Sequence, residues 1–107
     1  MSFSPRHISV RHDPNSVEAR FFELLLSLLR LDKGIVSGEA VADGFERAGA
    51  LLDALPLTSS DFSASAQQLN NARRYHASDE LGAAKYELNL LIHRVKCIAR
   101  FIFCLEH

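Results

Sequence analysis

Apolar side chains recur along this chain at alternating steps of three and four in four successive stretches, the spacing that puts one face of a helix against a core. The most regular stretch is the last, where Leu81, Ala84, Leu88, Leu91, Val95, Ile98 and Ile102 predict one long helix over roughly 79–103. In the first, Phe21, Phe22, Leu24, Leu25, Leu26, Leu28, Leu29 and Leu31 wrap most of the circumference and leave Arg20, Glu23, Ser27 and Arg30 on one narrow polar stripe. A helix apolar on so many sides belongs near the centre of a bundle. Asp13 and Pro14 offer an N-cap followed by a residue whose φ is already helical, and Gly34 offers a left-handed stop after about Asp32.

The second stretch, Val41, Phe45, Ala48, Leu52 and Leu55, predicts a helix from an N-cap at Ser37 to the break imposed by Pro56. Val36 and Val41 have the spacing of a hydrophobic staple across that cap. Gly44 and Gly49 each cost about 1 kcal/mol of helix propensity relative to alanine, a cost that close approach of a neighbouring helix would offset. Thr58 and Asp61 form a capping-box variant, so a third helix starts near Ser59 and turns Phe62, Ala66, Leu69 and Ala72 inward. Ser78, Asp79 and Glu80 combine an N-cap residue with acid in a first turn, which places a fresh start or a bend near Ala77.

The pattern therefore predicts an all-α protein, an antiparallel bundle of about four helices, preceded by a short extended arm around Ile8 and Val10. Residues 1–12 form the arm, 13–104 the single helical domain, and Leu105, Glu106 and His107 read as the start of an expression tag. A chain of 107 residues with 48% hydrophobic composition suffices for one core and not for two. Its longest apolar run, about eleven residues from Phe21 to Leu31 and interrupted by Glu23, Ser27 and Arg30, is too short to span a bilayer. With no secretory signal in view, the expectation is a reducing, cytoplasmic home.

Candidate chemistry is sparse. His7, His12, His76, His93 and His107 do not fall into a His-Glu-x-x-His, Cys-x-x-Cys or Glu-x-x-His pattern, so no metal or other cofactor is expected. Cys97 and Cys104, seven apart on one helix face, lie roughly 10 Å apart along the axis, too far to pair, and read as buried thiols. There is no phosphate loop or nucleophile elbow; of the arginine–histidine pairs that helical ribonucleases place five to seven residues apart, Arg73 and Arg74 are followed too soon by His76, and Arg6 reaches His12 only through the arm ahead of the first helix. The reading is of a protein that is not an enzyme. Arg73, Arg74, Arg94, Lys96 and Arg100 are scattered over different helix sides and read as solvated charges.

Net charge is -1, which gives no global bias toward nucleic acid, but its distribution is uneven. Residues 1–12 carry only Arg6 and Arg11, residues 13–61 hold nine acidic against four basic side chains, and the remainder holds four against six. Within the acidic half, Glu39, Asp43, Glu46 and Asp53 fall on one face of the second helix, joined by Glu18, Glu23 and Asp32 on the first. A concentrated negative surface captures basic partners quickly and can cover a basic cleft.

The segment from Phe22 through Leu25, Leu26 and Leu29, across Gly34-Ile35-Val36-Ser37-Gly38-Glu39-Ala40 to Phe45, resembles the opening of small helical bacterial immunity proteins, of the colicin D immunity type or of contact-dependent growth inhibition systems. The resemblance covers about 25 residues and rests on an apolar helix, a small polar turn, and an acidic helix with an aromatic anchor. It implies an antitoxin that neutralises a cognate toxin, often a tRNA-cleaving nuclease, by filling its basic active-site cleft. Glu39, Asp43 and Glu46 would then lead the contact with Asp53 beside them. No direct nucleic-acid or membrane contact is implied. The rival expectation is a helical adaptor or chaperone that holds a partner peptide in an apolar groove.

Overall fold

The computed structural model describes residues 16–38 and 41–104, and among them it contains four helices and no strand. Helix α1 spans Val17–Ser37, α2 Ala42–Asp53, α3 Ser59–Ala77 and α4 Leu81–Cys104. Each helix packs on the next in the chain, and α4 returns to α1, which closes a four-membered ring. Neighbours run antiparallel. Arg20 at the start of α1 donates to the carbonyl of Ala54 at the end of α2, and Phe21 meets Phe103 edge-on at 5.7 Å between ring centres. The all-α antiparallel bundle is thus the observed architecture; the proposed arm and the three C-terminal residues lie outside the described residues.

The core is drawn largely from the inward positions read from the periodicity, with Ile35 and Ile92 added; Leu81 is exposed, and so are Phe22 and Leu29, because α1 is one wall of the ring and not its centre. Phe21, Leu24, Leu28 and Leu31 from α1, Phe45, Ala48 and Leu52 from α2, Leu69 and Ala72 from α3, and Ala84, Leu88, Leu91 and Val95 from α4 are all buried in one cluster. Val41 and Leu55, just outside the ends of α2, are buried with them. Two serines, Ser27 of α1 and Ser65 of α3, interrupt the apolar interior among the described residues. Ser65 is fully buried, and among the described residues its hydroxyl has no hydrogen-bond partner.

Helix limits differ from the sequence reading in four places. Ser16, not Asp13, caps α1, its hydroxyl accepting from the Ala19 amide at 3.1 Å. The helix then runs through Gly34, because Ile35 continues the Leu28–Leu31 stripe into the core and is itself buried. The stop is Gly38, whose φ of 78° is the left-handed conformation glycine adopts without cost and whose amide reaches the carbonyls of Gly34 and Ile35. Ser37 is accordingly the last residue of α1, not the cap of α2; Val36 is exposed, so the staple with Val41 does not form. Finally, Asp79 takes a left-handed φ of 62° and α4 begins at Leu81, which makes α3 and α4 separate helices.

The Thr58 N-cap of α3 forms as read, its Oγ1 accepting from the Asp61 amide at 3.0 Å, while the reciprocal bond from the Thr58 amide to the Asp61 carboxylate is absent among the described residues. The two glycines of α2 divide in role. A Cβ on Gly44 would lie 2.7 Å from Leu31 Cδ2 and 3.3 Å from its Cγ, so this glycine permits the close approach of α1. At Gly49 the nearest foreign atom would be Leu69 Cδ2 at 3.9 Å, an ordinary contact. Alanine at Gly49 is expected to raise stability by about 0.5–1 kcal/mol through helix propensity. Alanine at Gly44 is expected to lower it by about 1 kcal/mol as Leu31 is forced aside. Paired urea melts of the two variants check the opposite signs.

Candidate functional site

Helix α2 turns Phe45, Ala48 and Leu52 into the core, and the geometry of about 100° per residue carries Asp43, Glu46 and Asp53 to the side that borders α3. All three are exposed, and among the described residues none is ion-paired. Glu39 lies outside the described residues. The acidic side chains on α1 have a different fate: Glu23 pairs with Arg47 of α2 at 3.4 Å, and Asp32 receives Lys85 of α4 at 2.9 Å on each carboxylate oxygen. These carboxylates tie helices together, so the first-half negative surface expected from composition shrinks to the α2 face with Glu18 apart from it.

Beside that face the α2 and α3 helices part into an open groove. Its upper hollow, about 460 Å³, is bordered by Asp43, Glu46, Phe45, Arg73 and His76. The lower, about 430 Å³, is bordered by Glu46, Gly49, Asp53, Leu69, Asn70 and Arg73. The small residues Gly49 and Ala50 keep the α2 wall low. His76 packs its ring on Phe45, with ring centres 6.0 Å apart, and lies half-buried at the edge of the core. Arg73 donates to Asn70 on its own helix at 3.3 Å and stands opposite the carboxylates without pairing. Sequence reasoning read Arg73 as a solvated charge; that Arg73, with Asn70 and His76, stands across from the acidic row follows only from the packing of α3 on α2.

A second groove of about 690 Å³ lies between α3 and α4, lined by Leu57, Leu90, Ile98, Phe101 and Ile102 with Asp61, His93 and Cys97 at its margin. Phe101 is 68% exposed and Leu90 38%, so apolar surface is open to solvent there. Cys97, expected in the interior, is exposed: its position on α4 points away from the Leu88–Val95 stripe, and its sulfur lies 3.6 Å from His93 Nε2. The side chain of Cys104 is outside the described residues. Arg94 donates to Gln68 of α3 at 3.1 Å while Lys96 and Arg100 project elsewhere from α4, so the basic residues do not assemble into one patch.

Among the described residues no three metal-ligating side chains come together, and no described helix is long and apolar enough to cross a membrane. His7 and His12 lie outside the described residues. Comparison of the chain with protein-family models, curated proteins and solved structures returns no match.

Proposed function

We propose that this protein is an immunity protein or antitoxin that binds a basic protein toxin, in the first instance a nuclease domain, and blocks its cleft with the acidic face of α2. The observation that carries the reading is the contrast among carboxylates. Those on α1 that face a neighbouring helix are spent in the fold, whereas Asp43, Glu46 and Asp53 stand exposed and uncommitted on a single rigid helix. Unpaired like charges cost the free protein some self-repulsion, which a cationic partner relieves on binding. The chemistry needed is electrostatic occlusion alone, with no cofactor, in the reducing cytoplasm where such a toxin would act.

The test is co-expression with the C-terminal domain encoded by the reading frame beside this one. A one-to-one complex that abolishes that domain's toxicity supports the proposal. A harmless neighbour that does not co-purify counts against it.

A second reading, a peptide-holding adaptor, is favoured by the open apolar groove between α3 and α4 with Leu90 and Phe101 on its rim. The two readings use different helices, so substitutions on each separate them.

A further inference from the structure

Helix α1 is buried on one side only. Phe21, Leu24, Leu28, Leu31 and Ile35 enter the core, and Arg20 and Glu23 face α2. On the far flank, about a third to half a turn round the helix, Phe22, Leu29 and Val36 form a line at seven-residue steps and are 62%, 45% and 67% exposed. Leu25 and Leu26 lie half-buried between the first two. Seven-residue spacing is the repeat with which one helix seats against another, and no described helix of this chain covers the line. Its charged neighbours are Glu18, one turn before Phe22, and Lys33, one turn after Leu29; both are exposed, and neither is ion-paired among the described residues.

We propose that this flank is the contact between two copies of the chain, packed α1 against α1 in antiparallel fashion. The flank is self-complementary, as a two-fold interface demands because one surface must serve both sides. A two-fold axis passing between Leu25 and Leu26 lays Phe22 over the partner subunit's Leu29, and by symmetry Leu29 over the partner subunit's Phe22. Leu25 and Leu26 pack about the axis. The same operation sets Glu18 within reach of the partner subunit's Lys33, so the apolar centre is closed at each end by an opposite-charge pair. A parallel arrangement would instead bring Glu18 to Glu18 and Lys33 to Lys33. The antiparallel sense is therefore specified by the charges as well as permitted by the apolar line.

The seam is short, at the small end of stable interfaces, so the dimer dissociates on dilution. Because Arg20 and Glu23 turn away from the seam toward α2, the acidic α2 face remains free in both subunits. The dimer does not depend on which partner that face takes.

Sedimentation velocity of the full chain under reducing conditions, across a dilution series, reads the equilibrium. The expected result is reversible dimerisation that Leu29→Glu removes. Glu18→Lys, at an exposed position where folding is not at stake, is expected to weaken the dimer by about threefold to tenfold, and Glu18→Lys with Lys33→Glu to restore it. A parallel pairing would leave the unaltered chain and both charge variants alike, and would overturn the antiparallel arrangement. A monomer at every concentration, or a dimer indifferent to both the Leu29 and the charge variants and hence formed through another face such as the α3–α4 groove, overturns the proposal.

Discussion

Lysine at Asp43, Glu46 and Asp53 together is expected, under the proposed function, to leave a folded bundle that no longer captures a basic toxin, with affinity falling about a hundredfold or more. Folding should survive because the three side chains are exposed, point away from Phe45, Ala48 and Leu52, and are replaced by a good helix former. Only Asp43, in the first turn of α2, gives up a favourable interaction with the helix dipole. Binding should fail because three attractions become three repulsions on one surface. Intermediate single reversals should slow association and reduce its salt dependence, since fewer opposed charges remain to be screened. Surface plasmon resonance at several salt concentrations gives both quantities. Should the triple variant bind unchanged while Leu90→Glu and Phe101→Glu destroy binding, the α3–α4 groove is the working surface and the adaptor reading replaces the immunity one.

The largest effect on stability is expected from Leu88→Ala, at about 2–5 kcal/mol. Leu88 is fully buried in the middle of α4, the helix that packs on both α1 and α3. Removing its branched end leaves a void that the surrounding core side chains fill only in part. Against the total of roughly 5–15 kcal/mol typical of a domain this size, such a loss brings the protein near its unfolding threshold at body temperature. Urea denaturation should show a lower midpoint with an unchanged slope. Leu88→Met, which keeps the volume, should cost less than about 1.5 kcal/mol, and Leu90→Ala two residues on should be nearly neutral.

Those two expectations rest on different depths of legibility. The inward positions could be read directly, since a buried helix face imposes its period on the sequence, and Leu81 alone among the α4 positions assigned inward proved exposed. Caps are legible where a second residue marks them, as Asp61 does for Thr58 three residues before it. They were misread where two competed. Asp13 and Ser16 are both N-cap residues, and Gly34 and Gly38 are both candidate stops; the decision fell to Ile35, whose burial rewards one more turn of helix than local propensity requires. The acidic row was visible because helix geometry fixes which residues of one element share a side. That Asn70, Arg73 and His76 face it, and that Glu23 and Asp32 are committed to Arg47 and Lys85, depends on inter-helix packing, about which spacing within a helix carries no information.

The ring order of the bundle also bears on how quickly the chain finds it. Three of its four helix contacts join consecutive helices through short joints at 38–41, 54–58 and 78–80, so most of the native structure can assemble by local search. Low sequence separation of this kind goes with refolding in milliseconds or less, on the order of helical bundles generally. The remaining contact is the seam where α4 meets α1, held by Phe21 on Phe103 and Asp32 on Lys85, which must bring the two ends of the helical domain together across nearly its whole length. That closure is the one slow, entropy-limited event the topology contains, and it is where the refolding rate should be decided.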